Sequence, residues 1–183
     1  MNQKEQSQPG TTLFEESKTK EKTTRYTKSR AVKSLEAMAD QAARAKYPNT
    51  PPHFLAPRKF RDDTANALTN CIIQFIRISN GQAERISNTG RRIDTSHTFE
   101  DVTGRSRTIG GTNWIPGTGT NGSADISATI AGQSVKIEVK IGRDRQSQAQ
   151  KDYQQSIETA GGLYVIASTL EGFLNWYNLN FKQ

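Results

Sequence analysis

The chain has 183 residues, of which 33% are hydrophobic and 23% charged, with a formal net charge of +7. No apolar run is long enough to span a bilayer, and no stretch near Met1 resembles a signal peptide, so the sequence predicts a cytoplasmic protein with no membrane partner. A single cysteine, Cys71, excludes an internal disulfide, and His53 and His97 lack the neighbours that a zinc site needs.

The excess positive charge is in the first third of the chain. Residues 1–61 contain 13 Lys or Arg and 6 Asp or Glu, whereas residues 62–183 contain 12 of each. Residues 1–33 have few apolar side chains, which is typical of disorder, and the prolines between 48 and 57 indicate an irregular linker. We predict a basic, largely disordered extension over 1–61, with a helix candidate at 31–46, and one domain over 62–183. The extension is either a solubilising arm or an electrostatic arm on nucleic acid.

The domain is predicted to begin with a helix and a strand. Residues 64–78 have apolar side chains at helical spacing, and residues 83–87 read as a strand that enters a turn at 88–90. Four residues with side chains suited to phosphate contacts surround this turn: Arg85, Asn88, Arg91 and Arg92. A solvated hairpin end is the equal alternative.

The next segment, residues 105–122, is rich in glycine and predicted to be a loop. No Gly-Lys-Ser or Gly-Lys-Thr sequence ends it, which argues against a nucleotide-binding P-loop. Its backbone either forms a mobile loop or approaches DNA closely. Trp114 within it either packs against the domain or stacks on an unpaired base.

Two strands joined by a tight turn follow, over residues 123–130 and 135–141. Their apolar residues share one face only if residue 126 pairs with 137 and residue 128 with 135. That register places Asp125 directly opposite Glu138, where two carboxylates repel unless a cation lies between them. Hard oxygen ligands suit magnesium, and Lys140 adds a positive charge on the same face. The alternative is a solvated edge strand.

The chain then returns to helical and strand patterns. Residues 147–160 predict a helix that stops at Gly161 and Gly162, residues 163–167 a buried strand, and residues 169–177 a closing helix. From residue 64 onward the order is helix, three strands, helix, strand. The predicted fold class is therefore α/β, with a mixed β-sheet flanked by helices.

Residues 64–177 resemble the PD-(D/E)XK nuclease superfamily, and within it the virus-type replication-repair nucleases (VRR-NUC) and phage resolvase-like enzymes. Three short motifs carry the resemblance: residues 122–126 for Gly-x-Pro-Asp, Glu138-Val139-Lys140 for Glu-x-Lys, and residues 147–150 with Tyr153 for the helix motif. The resemblance implies a restriction-endonuclease-like core with the element order αβββαβ.

The resemblance also implies a metal-dependent nuclease, a phosphodiester hydrolase acting on DNA. By it, Asp125, Glu138 and the Val139 carbonyl hold Mg²⁺ or Mn²⁺. Lys140 orients or activates the attacking water, and Gln150 supports the site. Arg143 and Tyr153 join the four residues around the 88–90 turn as candidate nucleic-acid contacts.

The chain departs from the superfamily pattern at two places. Ala124 replaces the usual proline, and the first helix has no acidic residue, offering Asn66 and Asn70 instead. Glu84 or Asp63 can approach from outside that helix. The alternative function is a nucleic-acid-binding or assembly module that keeps the nuclease fold with weak or no catalysis. Whether the protein forms a homo-oligomer stays open.

Overall fold

The computed structural model describes residues 26–182 apart from Thr89 and Thr118. Most of the segment predicted to be disordered, residues 1–25, lies outside the described residues. The described part is mixed α/β and has four α-helices and eight β-strands: α1 (Arg30–Lys46), α2 (Ala65–Ile78), β1 (Gln82–Arg85), β2 (Arg91–Asp94), β3 (His97–Glu100), β4 (Ser106–Ile109), β5 (Thr112–Ile115), β6 (Ile126–Ile130), β7 (Gln133–Val139), α3 (Gln148–Thr159), β8 (Leu163–Ala167) and α4 (Leu170–Phe181). None of these helices has the length and apolar character needed to cross a membrane.

A four-stranded mixed sheet forms the centre of the fold. Its strand order is β1-β6-β7-β8, and all neighbours are antiparallel except β7 and β8. The apolar core lies between one face of this sheet and α1, α2 and α4. α3 contacts β8 and supplies side chains to the polar face of β7. The order α2-β1-β6-β7-α3-β8 confirms the predicted α/β class and the mixed sheet.

The β6–β7 hairpin has the register predicted from its apolar residues. Ile126 pairs with Ile137, and Ala128 pairs with Val135. The turn between the strands places Ala131 and Gly132 at φ 49° and 81°. Positive φ at both central residues twists a two-residue turn in the same sense as the strands, which holds the register.

The segment between β1 and β6 differs from the predicted loop. β2 pairs with β5, and β3 pairs with β4. Arg91 opposes Ile115 and His97 opposes Ile109, so the second pair continues the first without a shift in register. Together they form one long antiparallel ribbon, Arg91–Ile115. Its residues are mostly exposed on both faces, so no apolar alternation marks it as strand in the sequence.

The helix predicted at 31–46 is present as α1, and it belongs to the folded core. Val32 and Leu35 are 0% and 1% exposed, and α1 contacts α2 and α4. Before α1, the Tyr26 hydroxyl donates a hydrogen bond to Asp62 Oδ1 at 2.7 Å. The core therefore extends across the boundary predicted after residue 61. The thin apolar stripe of α1 understated its burial, because alanines complete the contact surface.

If α1 is part of the core, truncating Leu35 must destabilise the whole domain. We expect Leu35→Ala to lower the free energy of unfolding by about 2–5 kcal/mol, since it removes buried methyl groups and leaves a cavity. Lys33→Ala, on the exposed side of the same helix, should change it by no more than about 0.5 kcal/mol. Urea denaturation followed by circular dichroism measures both. Equal, small effects would show that α1 is not integral to the fold.

Candidate functional site

Asp125 stands just before β6 and is fixed to β7. Its Oδ2 accepts a hydrogen bond from the Val139 amide at 2.9 Å, and its backbone carbonyl accepts one from Ile86 at 2.8 Å. Gly122 has φ 76°, and a β-carbon there would overlap the Ala149 carbonyl. Glycine thus lets the chain before Asp125 lie directly against the start of α3.

Glu138 lies on the adjacent strand β7 and is only 2% exposed. Its Oε1 accepts a hydrogen bond from Gln150 Nε2 at 2.5 Å and lies 3.1 Å from Lys140 Nζ. Its Oε2 is buried and has no hydrogen-bond partner among the described residues. A buried carboxylate oxygen without a donor is costly, and it is the kind of group that a cation can satisfy.

Gln150 connects the start of α3 to Glu138. Its Oε1 accepts a hydrogen bond from the Ser147 amide at 2.9 Å, completing a capping box, while its Nε2 donates to Glu138. The amide of Gln150 has both an acceptor for the cap and a donor for the carboxylate, whereas a glutamate at this position would have no donor when ionised. The sequence motif at 147–150 is therefore both a helix start and a support for Glu138.

Lys140 bridges two carboxylates. Its Nζ lies 3.1 Å from Glu138 Oε1 and 3.3 Å from Asp144 Oδ2, and its side chain is 11% exposed. Burial opposes its charge, but the hydrogen bonds to Glu138 and Asp144 outweigh that effect and raise the pKa of Lys140. The ammonium is therefore charged at neutral pH and stands at the buried carboxylate.

Glu138 is held in an unfavourable electrostatic environment. Burial raises its pKa, the hydrogen bond from Lys140 opposes the rise, and the charge of Asp125 adds to it. Tyr164 on β8 lies nearby. Burial and the charge of Glu138 raise the pKa of the Tyr164 phenol to about 12. The site thus holds a charge that the folded protein alone stabilises poorly.

The donor set fits a hard cation bound through few protein ligands. In the described part of the chain, no group of three or more His, Cys, Asp and Glu side chains comes together. Asp63 pairs with Arg61, and Asn66 accepts a hydrogen bond from Arg85 at 2.8 Å. Magnesium commonly uses one or two carboxylates and fills its other positions with water and phosphate oxygens. Two carboxylates with one unpartnered oxygen suit that mode.

The structure divides the candidate nucleic-acid contacts. Arg85 and Asn88 line a cavity of about 460 Å³ that Asp125 also borders. Arg91 and Arg92 are exposed on β2 at the base of the ribbon, and Arg143 is exposed in the turn between β7 and α3. Arg91, Arg92 and Arg143 therefore lie at the surface.

Tyr153 has a different setting from these five residues. It is half-buried on α3, and its ring stands edge-on to Tyr164 with centroids 6.5 Å apart. Burial raises its pKa. Its ring packs against Tyr164, and its predicted contact with nucleic acid stays a prediction.

Sequence reasoning missed two features near the site. The apolar pattern of residues 163–167 gives Tyr164 no separate role. Its position on β8, opposite Lys136 of β7, follows from the parallel pairing of the two strands. The ribbon places Trp114 over a pocket that reaches Gln150, and no local pattern predicts that approach.

No protein-family model matches the chain, and a search of curated proteins gives no match.

The raised pKa of Glu138 has a consequence for stability. A carboxyl whose folded-state pKa exceeds its ordinary value of 4.5 weakens the fold as the pH rises through that interval, because the unfolded chain releases the proton first. Without metal, the stability of Glu138→Gln relative to the wild type should therefore be higher at pH 7 than at pH 4. Thermal unfolding in chelator at both pH values measures this.

Magnesium supplies the second arm of that experiment. It should raise the unfolding midpoint of the wild type at pH 7 and leave Glu138→Gln unchanged, since binding to the folded state stabilises it by mass action. If, in chelator, the stability of the wild type relative to Glu138→Gln were higher at pH 7 than at pH 4, Glu138 would not be a destabilising carboxylate.

Proposed function

We propose that the protein is a magnesium-dependent nuclease that hydrolyses phosphodiester bonds in DNA, with the active-site plan of the PD-(D/E)XK superfamily. The supporting observation is the buried Glu138 carboxylate, which has one oxygen held by Gln150 and Lys140 and the other unpartnered. Asp125 is hydrogen-bonded to the residue that follows Glu138. A cation bound at Glu138 would satisfy the buried oxygen for which the described residues supply no donor.

Each residue of the site has a distinct task in this proposal. Asp125, Glu138 and the Val139 carbonyl would hold Mg²⁺ or Mn²⁺, which when bound lowers the pKa of a coordinated water and offsets charge on the phosphate. Lys140 orients the water and donates to the phosphate, because its ammonium stays charged beside Glu138. Gln150 keeps Glu138 in place through its second hydrogen bond to the helix cap.

The distribution of charge supports a polyanionic substrate. Residues 26–61 contain eight Lys or Arg and only two Asp or Glu, so most of the net charge lies on α1 and the segment after it. Arg30, Lys33, Arg44 and Lys46 are all exposed on α1. We assign this surface to contacts with DNA phosphates, which add affinity without sequence preference.

A second candidate is a nucleic-acid-binding or assembly module of the same fold with little catalysis. It is favoured by one observation: the described residues contain no group of three or more acidic, histidine or cysteine side chains that could hold a metal ion. The two candidates differ in metal-dependent turnover and not in DNA binding.

Cleavage by matched variants tests the site. We expect Asp125→Asn and Glu138→Gln to abolish cleavage of labelled linear, flapped and four-way DNA in magnesium, because each removes a ligand charge at similar volume. Lys140→Ala should lower turnover by about a hundredfold or more. Lys136→Ala is the control, since Lys136 is on the same face of β7 but donates to Ser127 at 2.6 Å.

The same variants also distinguish metal binding by the carboxylates from the role of Lys140. Lys140→Ala should keep the magnesium-dependent rise in thermal midpoint, whereas Asp125→Asn and Glu138→Gln should lose it. Cleavage by either carboxylate variant at the wild-type rate would remove the assigned site. Wild-type DNA binding without any cleavage, in magnesium or manganese, would favour the binding module.

Salt dependence tests the basic surface. Replacing Arg30, Lys33, Arg44 and Lys46 with glutamine should flatten the plot of log affinity against log salt by up to about 3.6, at about 0.9 for each phosphate contact. Deleting residues 1–25 is the control, because it removes five basic but four acidic residues. Fluorescence anisotropy with duplex DNA in chelator gives both slopes. An unchanged slope in the fourfold variant would show that α1 does not contact DNA.

A further inference from the structure

A pocket of about 580 Å³ lies between the base of the ribbon and the start of α3. Trp114 of β5 forms one wall and Gln150 of α3 another. Most of the remaining lining comes from the segment before β6, and Asn88, Gly90 and Ser147 also contribute. The volume falls in the range of small-molecule sites and exceeds that of one nucleobase.

Three glycines build this pocket by permitting close contacts. A β-carbon at Gly90 would lie 2.5 Å from Cζ2 of Trp114, so the indole edge rests on the Gly90 backbone. A β-carbon at Gly119 would overlap the Asn88 side chain, and one at Gly122 would overlap the Ala149 carbonyl. The ring is supported along one edge, yet it is 60% exposed. A rigid aromatic with an open face is the arrangement on which a planar ligand stacks.

The chemistry of the lining favours a base over a phosphate. Among the described residues that border the pocket none is charged, and the polar ones carry amide or hydroxyl groups, as in Asn121, Thr120 and Ser123. Neutral donors and acceptors match the edges of nucleobases, whereas phosphates call for cationic partners.

The pocket also adjoins the candidate active site. Gln150 borders the pocket and donates to Glu138 at 2.5 Å, and Ser123, two residues before Asp125, borders it as well. Asn88 closes this side by donating to the Thr120 carbonyl at 3.2 Å. A strand whose phosphate lies at the carboxylate pair therefore has a neighbouring nucleotide within reach of Trp114.

We propose that this pocket binds one unpaired nucleobase of the DNA substrate, stacked on Trp114, next to the phosphate that is cleaved. The inference rests on the proposed function and deepens it, because it names the substrate class: DNA with an unpaired nucleotide at the cleavage site, such as a single strand or a flap. A fully paired base cannot enter, since both its faces are covered by the duplex stack.

Binding in chelator tests the pocket apart from cleavage. Anisotropy is measured with labelled single-stranded, flapped and fully paired DNA on wild type, Trp114→Ala and Trp114→Phe. We expect Trp114→Ala to weaken binding of the single strand and the flap by about tenfold or more, with less than a twofold change for the duplex. Trp114→Phe should retain part of the affinity. An abasic nucleotide at the flap junction should reproduce the loss on the wild type.

Phe99→Ala is the control, because Phe99 is an exposed aromatic on the ribbon outside this pocket. It should bind all three probes like the wild type, and thermal melting of every variant checks the fold. Equal losses on duplex and single strand, wild-type binding by Trp114→Ala, or no single-strand binding by the wild type would each overturn the proposal. Cleavage in magnesium is measured separately. Base-dependent binding without cleavage would support the pocket and contradict the proposed nuclease. Cleavage that is unchanged in Trp114→Ala would support the nuclease and contradict the pocket.

Discussion

The burial of one carboxylate, Glu138, organises this end of the molecule. A charged group removed from water must be met by donors, and the chain supplies them from two directions, Lys140 on the same strand and Gln150 on α3. The second donor requires the first turn of α3 to lie over β7. That in turn requires the close approach of Gly122 to Ala149. The start of a helix, a glycine turn and a strand are thus coupled through one side chain.

The same carboxylate destabilises the fold locally. Burial and the charge of Asp125 both favour the neutral form of Glu138, and no donor from the described part of the chain reaches its Oε2. A protein selected for stability alone would replace such a group with an apolar side chain of similar size. In the proposed metal site the ion would supply the missing charge, so the local instability and the proposed function would have one cause.

Two kinds of surface in the described chain suit different parts of a nucleic acid. α1 and the segment after it carry exposed arginines and lysines, which suit the uniform charge of the phosphate backbone. The pocket beside Trp114 is uncharged in its described lining and suits a base. The proposed division of labour places general affinity on α1 and selection of substrate shape at the ribbon, close to the carboxylates.

The sequence by itself determined the elements whose patterns are local. The helix predicted over residues 64–78 is observed as α2 and the one over 147–160 as α3, and the alternation of apolar residues set the pairing of residue 126 with 137. From that register the neighbourhood of Asp125 and Glu138 followed, because a one-residue slip would have turned every side chain to the wrong face.

Tertiary structure decided what depends on contacts between distant segments. The alanine-rich stripe of α1 reads as marginal in isolation, and only its contacts with α2 and α4 make it core. The ribbon is exposed on both faces and leaves no periodic signal, so its strands and the pocket at Trp114 were invisible in the sequence. The unpartnered oxygen of Glu138 is likewise a property of three-dimensional packing, because hydrogen-bond satisfaction is settled by what surrounds an atom, not by its neighbours along the chain.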